Sequence, residues 1–175
     1  ELQRATRLVA QFRGLASSRR SGEMQMGVDP GQIVTQVAAL MEKRCADQGT
    51  RIAWEPDAAA PTIVADPDAI QQVFLNLVLN ALDALPNGGS LVITEHATDD
   101  PPGVRVVFAD DGPGVAPHIV PQLFTSFVTT KLDGMGLGLP VSYDIVARHG
   151  GRLYFDTSAA RGARFVVWLP VGGAP

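Results

Sequence analysis

The chain has 175 residues, a formal net charge of −4, 46% hydrophobic and 18% charged side chains. That length and composition suit one globular domain with a core of its own, and the acidic balance argues against non-specific nucleic-acid binding. A single cysteine, Cys45, excludes an internal disulfide and any multi-cysteine metal site, and no apolar run reaches the roughly 18–20 residues that span a bilayer.

Residues 1–20 read as an amphipathic helix, with Leu2, Leu8, Val9, Phe12 and Leu15 on one side and arginines spread around the rest. Residues 21–27 read as a weakly structured link. Asp29 is a good N-cap and Pro30 suits the first helical position, opening a helix to about residue 47 whose Ile33, Val37, Leu40 and Met41 face a core. Short strands are expected over 51–55 and 62–65. Asp66 and Pro67 start a long helix that ends near residue 85, at the turn Pro86-Asn-Gly-Gly89. Strands over 90–98 and 104–109, joined by Asp-Asp-Pro-Pro-Gly, form a hairpin. Residues 110–133 are glycine-rich and irregular; a helix over 139–149 and strands over 152–156 and 163–169 follow. Helices grouped with hairpin-linked strands predict an α+β sandwich: one mixed sheet with helices on one face, plus the N-terminal helix.

The helix over 67–85 is apolar around most of its circumference. The exceptions, Gln72, Asn76, Asn80 and Asp83, are spaced four, four and three apart and so share one narrow stripe. A buried, unsatisfied amide costs roughly 1–3 kcal/mol, so the stripe needs a polar partner. That partner is either solvent along the edge of a half-buried helix or a ligand. Asparagine oxygens are hard donors of the kind that share Mg²⁺ with water and phosphate.

Two glycine segments follow. Asp110-Asp-Gly112-Pro-Gly114 leaves a strand end, where glycines allow close backbone approach and a carboxylate can accept from a heterocyclic amine. Gly134-Met-Gly136-Leu-Gly138-Leu-Pro140 opens a helix, whose N-terminal amides favour phosphate. It is not a Walker loop, because no Gly-Lys-Ser/Thr follows. Each segment is weak evidence alone.

The ordered set is specific. Asn76-Leu-Val-Leu-Asn80-Ala resembles the N box of the sensor histidine kinases, and Asp110 to Gly114 resembles their G1 box. Leu123 to Lys131 resembles the F box, with a Phe-Val-Thr-Thr-Lys ending typical of the nitrogen-regulation-type subgroup. Gly134 to Leu139 resembles the G2 box, and Gly162-Ala-Arg-Phe165 the last glycine box. The resemblance runs over about residues 29–170. It implies the Bergerat ATP fold, an α/β sandwich over residues 28–175 that binds ATP and Mg²⁺, with residues 1–27 as the end of a dimerisation-hairpin helix and a linker.

By position, the resemblance makes Asn80 the main Mg²⁺ ligand, with Asn76 supporting, and Asp110 the acceptor for the adenine amine. Gly112 and Gly114 let the backbone pass the base, walled by Ala81, Ala84, Val115, Leu123 and Phe165. Amides at Gly134, Gly136, Leu137, Gly138 and Leu139 hold phosphate, and Thr130 and Lys131 reach it from a lid over 117–133. Asn76, Asn80 and Lys131 form the implied catalytic set. Met135 and Ala163 stand where hydroxyl residues are more usual in the family, and Asp83 where many members carry Lys or Arg.

The family phosphorylates a histidine on a preceding helical hairpin. None of His96, His118 and His149 has an acidic next neighbour on a long amphipathic helix, so the acceptor is expected upstream of residue 1. The implied partners are that hairpin, a response-regulator receiver domain and a second copy of the full protein, with no nucleic acid. The implied location is cytoplasmic for the domain, with membrane anchoring of the parent left open. The rivals are an ATP-hydrolysing relative of the same fold, an anti-sigma-factor-type Ser kinase and a degenerate nucleotide sensor. The hydrolysing relatives usually carry a Glu where this chain has Asn76, which cannot take a proton.

Overall fold

Two Asp-Pro pairs begin the two long helices. In the computed structural model, which describes residues 23–125, 136–159 and 161–172, Asp29 precedes α1 (Pro30–Gln48) and Asp66 precedes α2 (Pro67–Ala84). Each aspartate turns its Oδ1 onto two first-turn amides: Gly31 and Gln32 in α1, Asp68 and Ala69 in α2. Proline at the first helical position loses no hydrogen bond, because that N–H has no intrahelical partner. Gly49 ends α1 with φ of 68°, a left-handed conformation that glycine adopts freely.

The strands are β1 (Gln25–Val28), β2 (Thr50–Glu55), β3 (Ile63–Ala65), β4 (Gly89–Asp99), β5 (Pro102–Asp110), β6 (Arg152–Phe155) and β7 (Arg164–Pro170). Five of them form a mixed sheet in the order β2-β4-β5-β7-β6, in which only the β2–β4 pair is parallel. The expected hairpin is β4–β5, with Thr98 opposite Gly103. The third described helix, α3 (Gly138–Arg148), joins α1 and α2 on one face of the sheet. The core lies between: Phe74, Leu77, Val78 and Leu82 of α2 meet Leu91, Ile93, Val106 and Phe108, all at most 2% exposed. Phe74 and Phe108 join the two layers with ring centroids 5.4 Å apart.

Three local expectations are corrected. The segment read as a link through residue 27 is strand from Gln25, where β1 pairs antiparallel with β3. That pair is a separate two-stranded sheet, invisible to a reading that treats residues 62–65 as part of the main one. Leu40, expected to face the core, is 61% exposed, while Val34 is buried; α1 turns its Ile33-Val34-Val37 side inward. The expected helix over 1–20 lies outside the described residues. Cys45 is buried, and burial pushes its thiol pKa up, as befits an inert packed thiol.

One buried acid stands at the end of this core. Glu95 of β4 is 5% exposed, and its Oε2 accepts only a long bond of 3.4 Å from the Asp57 N–H, while Oε1 has no partner among the described residues. Burial raises its pKa, the Asp57 N–H pulls it part of the way back, and the charges of Asp29 and Asp57 add to the rise. A folded-state pKa above the unfolded value means the folded form holds the proton more tightly. The stabilisation is therefore present below the unfolded carboxylate pKa and is lost as pH rises through the folded one. Glu95→Gln should then raise the melting temperature at pH 7–8, by roughly 1 kcal/mol of stability, and should match the parent near pH 4. Melts across that range check this; a variant that is less stable at pH 8 would contradict it.

Candidate functional site

The polar stripe of α2 meets the N-terminus of α3. Asn76 Nδ2 donates to Ser142 Oγ at 3.2 Å and, at 3.4 Å, to the Gly138 carbonyl. Ser142 is fully buried, so this amide satisfies a hydroxyl that would otherwise be stranded. With Nδ2 engaged, Asn76 keeps Oδ1 as its acceptor. Asn80, one turn further along α2, is half-buried on the same side of the helix. Asp83, the last of the stripe, pairs with Arg44 of α1 at 2.7 Å. That ion pair ties α2 to α1 and assigns Asp83 a packing role in place of the phosphate contact that a Lys or Arg would make there.

Among the described residues, the first turn of α3 carries no group that would oppose an anion. Leu137 precedes it and supplies no side-chain cap, and no acidic residue stands in the first turn. Gly136 has φ of 64°. A Cβ on Gly138 would come within 3.9 Å of the Asn76 Cγ, so the two helices approach closely here. The far end of α3 is tied down as well. His149, 6% exposed, places Nδ1 at 2.7 Å from the Ile145 carbonyl, and its Nε2 accepts from the Asp66 N–H at 3.0 Å. Both ring nitrogens are used, and the imidazole fixes the end of α3 to the N-cap of α2.

Asp110 closes the third side, at the end of β5. It is 8% exposed, and its Oδ1 accepts from the N–H groups of Gly112 at 2.9 Å and Ala163 at 3.2 Å. Burial raises its pKa, these two amides pull it back, and neighbouring Asp111 adds a smaller rise. Oδ2 is left as the acceptor for an outside donor. Asp111 itself faces the other way. Its Oδ1 accepts from Ser90 N–H at 2.8 Å and its own N–H donates to the Ser90 carbonyl. The loop is thereby pinned to the start of β4.

Glycine lets the surrounding backbones touch. A Cβ on Gly112 would meet Asp110 Oδ1 at 2.9 Å and the Ala84 carbonyl at 3.2 Å. Gly114, at φ of 76°, lies against the Gly162 carbonyl, and Gly162, at φ of 73°, lies against the Asp110 carbonyl. At Ala163, where the side chain carries no hydroxyl, the backbone N–H holds Asp110 Oδ1.

The walls expected from the sequence divide into two sets. Ala84, Val115, Leu123 and Leu139 are half-buried beside these loops. Ala81 and Phe165 are core residues at 5% and 7% exposure, and the Phe165 ring packs tilted against Phe155 with centroids 5.3 Å apart. Thr130, Lys131, Gly134 and Met135, with residues 126–133 of the expected lid, lie outside the described residues. Reading the sequence missed Ser142, His149, Arg44 and Gly162 as site supports. Only Gly162 carried a signal, as the first letter of the last glycine box.

The donor set also tests for a metal. Asn76 and Asn80 offer neutral amide oxygens, and no cluster of three acidic, His or Cys side chains able to hold a cation exists among the described residues. Mg²⁺ would fit here only as the companion of a phosphate chain, sharing Asn oxygens with phosphate and water.

The profile of the histidine kinase-, DNA gyrase B- and HSP90-like ATPases matches residues 65–173. The sensor histidine kinase ZraS of Escherichia coli O157:H7 is 35% identical over 144 residues, covering 82% of this chain and 31% of that protein. Among solved structures, full-length ShkA in complex with AMPPNP superposes with a TM-score of 0.76 at 35% identity, covering 88% of this chain and 32% of that one. The nucleotide-free catalytic domain of histidine kinase ThkA gives 0.72 at 29% identity, covering 81% of this chain and 91% of that one. The present chain thus spans about a third of the length of the curated relatives it matches, and nearly all of a catalytic domain solved alone.

Proposed function

The chain belongs to the family of histidine kinase-, DNA gyrase B- and HSP90-like ATPases, and we propose from that premise that it is the ATP·Mg²⁺-binding catalytic domain of a two-component sensor histidine kinase. The observation that carries this reading is the meeting of three elements at one place: Asp110 at the end of β5, the uncapped first turn of α3, and the Asn76–Asn80 side of α2. Asp110 Oδ2 accepts the adenine amine, the α3 amides bind phosphate oxygens, and Asn80, aided by Asn76, shares the cation that accompanies the phosphates. That cation would neutralise phosphate charge during transfer. What remains for the protein is positioning and electrostatics, which dominate phosphoryl transfer generally. Lys131 and Thr130 are assigned to the phosphates from the lid. The finer placement, in the nitrogen-regulation-type subgroup, rests on the letters of the F box.

The acceptor is a histidine outside these residues, on the protein's own dimerisation hairpin, and the phosphoryl group passes on to a response-regulator receiver domain. The histidines present support this. His149 has both ring nitrogens occupied inside the fold, and His96 and His118 sit on the exposed surface away from any long helix. Hydrolysis is disfavoured as the main activity, because no carboxylate occupies the Asn76 position to take a proton from water. No helix among the described residues is long and apolar enough to cross a membrane.

Calorimetric titration with a non-hydrolysable ATP analogue tests the reading. Binding at pH 7.5 should strengthen with Mg²⁺. It should also weaken on acidification with a midpoint above the ordinary aspartate range of about 3.9, because burial raises the Asp110 pKa and only the carboxylate accepts the amine. Incubation with labelled ATP should leave no stoichiometric acid-labile phosphate on this chain alone. Absence of binding, or such a label, would sink the proposal.

A further inference from the structure

We infer that the solvent-facing side of the five-stranded sheet is a docking surface for an acidic polypeptide whose carboxylates alternate with apolar side chains. Among the described residues, the three helices cover only the opposite face, where Leu91, Ile93, Val104 and Val106 are buried. The pairing registers set the composition of the outer face. One cross-strand row is His96, Arg105, Trp168 and Arg152; its neighbour is Thr94, Val107, Val166 and Tyr154. With strands about 4.8 Å apart, each row of four spans roughly 14 Å.

The cationic row is held in place. The Trp168 Nε1–H donates to Thr98 Oγ1 at 3.0 Å, so the indole lies across Gly103, where a Cβ would come within 2.6 Å of Nε1. The Arg152 guanidinium lies 6.0 Å from the centre of that ring. His96, Arg105 and Arg152 are exposed, as is Tyr154 at 42%. A partner's carboxylates would find guanidinium donors along one row, and its apolar side chains would find Val107 and Tyr154 along the next.

Charge selects the occupant. Among the described residues, eight side chains are Lys or Arg and sixteen are Asp or Glu. Four of the eight, Arg51, Arg105, Arg152 and Arg164, stand on this face, against two acidic residues, Glu55 and the Asp156 that pairs with Arg164 at 3.3 Å. One face of an acidic body is therefore cationic, and such asymmetry steers acidic partners. Residues 1–22, with five arginines and one glutamate, carry the wrong sign to cover it. A long nucleic acid would overrun the face onto the acidic remainder. A short acidic strand fits within it.

The test uses the 175-residue chain and a fluorescein-labelled octapeptide alternating Glu with Val. Saturable, salt-sensitive binding is expected. It should weaken roughly tenfold or more in Arg105→Glu/Arg152→Glu, with the affinity for an ATP analogue unchanged as the control for folding. Tyr154→Ser, at an exposed site, should weaken it further through the apolar row. The inference is overturned by absence of saturable binding, by equal binding of a Lys–Val octapeptide, or by an undiminished affinity in the double variant. It is overturned equally if oligothymidine or phosphatidylserine vesicles bind more tightly than the peptide in the same buffer.

Discussion

Gly162→Ala is expected to reduce affinity for an ATP analogue roughly 100-fold and to lower the melting temperature, although residue 162 is not among those assigned to touch the nucleotide. Two costs combine. At φ of 73° an alanine is strained, by about 1–2 kcal/mol. The larger effect is steric: a Cβ at this position would overlap the carbonyl oxygen of Asp110. Backbone cannot rotate away as a long side chain can, so the end of β5 must move. That movement breaks the 3.2 Å bond from the Ala163 N–H to Asp110 Oδ1 and displaces the carboxylate proposed to read the base. A charge-assisted hydrogen bond is worth about 1.5–3 kcal/mol, which corresponds to roughly 10–150-fold in affinity. Gly172→Ala is the control, because a Cβ there meets nothing within 4 Å. Calorimetry and thermal melts on both variants check the expectation; parental affinity in Gly162→Ala would refute it.

That residue marks where the sequence was legible and where it was not. Local signals carried far. The Asp-Pro starts of α1 and α2, the β4–β5 hairpin and the amide stripe of α2 all follow from short-range spacing. The ligand reading of the stripe needed the order of the glycine boxes, since spacing alone left solvent as an equal partner. Long-range partners were not legible. Nothing near Asp83 in sequence points to Arg44, 39 positions away. Nothing near His149 points to the Asp66 N–H, 83 positions away. The β1–β3 sheet was missed for the same reason: a four-residue strand carries too little periodicity to be distinguished from a link, and only its distant partner makes it a strand. Leu40 was misplaced because its hydrophobicity suggests the inward stripe of α1, yet that stripe runs along Val34, Val37, Met41 and Cys45, and Leu40 falls off its edge.

Asn80→Ala should cost the proposed parent kinase about 10²–10³ in phosphorylation of its acceptor histidine while leaving the domain folded, the scale seen when one preorganised electrostatic group is removed from a transition state. The argument rests on place. Asn76 abuts Ser142 and the Gly138 carbonyl, so this side of α2 faces the turn proposed to bind phosphate. Asn80 lies four residues on, about 6 Å along the helix axis and on the same side. Its loss should therefore be felt through the cation that accompanies the phosphates, and not through the base, which Asp110 is proposed to read from the end of β5. The two contributions separate experimentally. In the presence of Mg²⁺ the variant should bind an ATP analogue more weakly than the parent; with the metal chelated, the two should bind alike. Asp110→Asn should weaken binding in both conditions. If Asn80→Ala lowers affinity equally with and without Mg²⁺, Asn80 serves the nucleotide or the packing of α2, and its assignment to the metal fails.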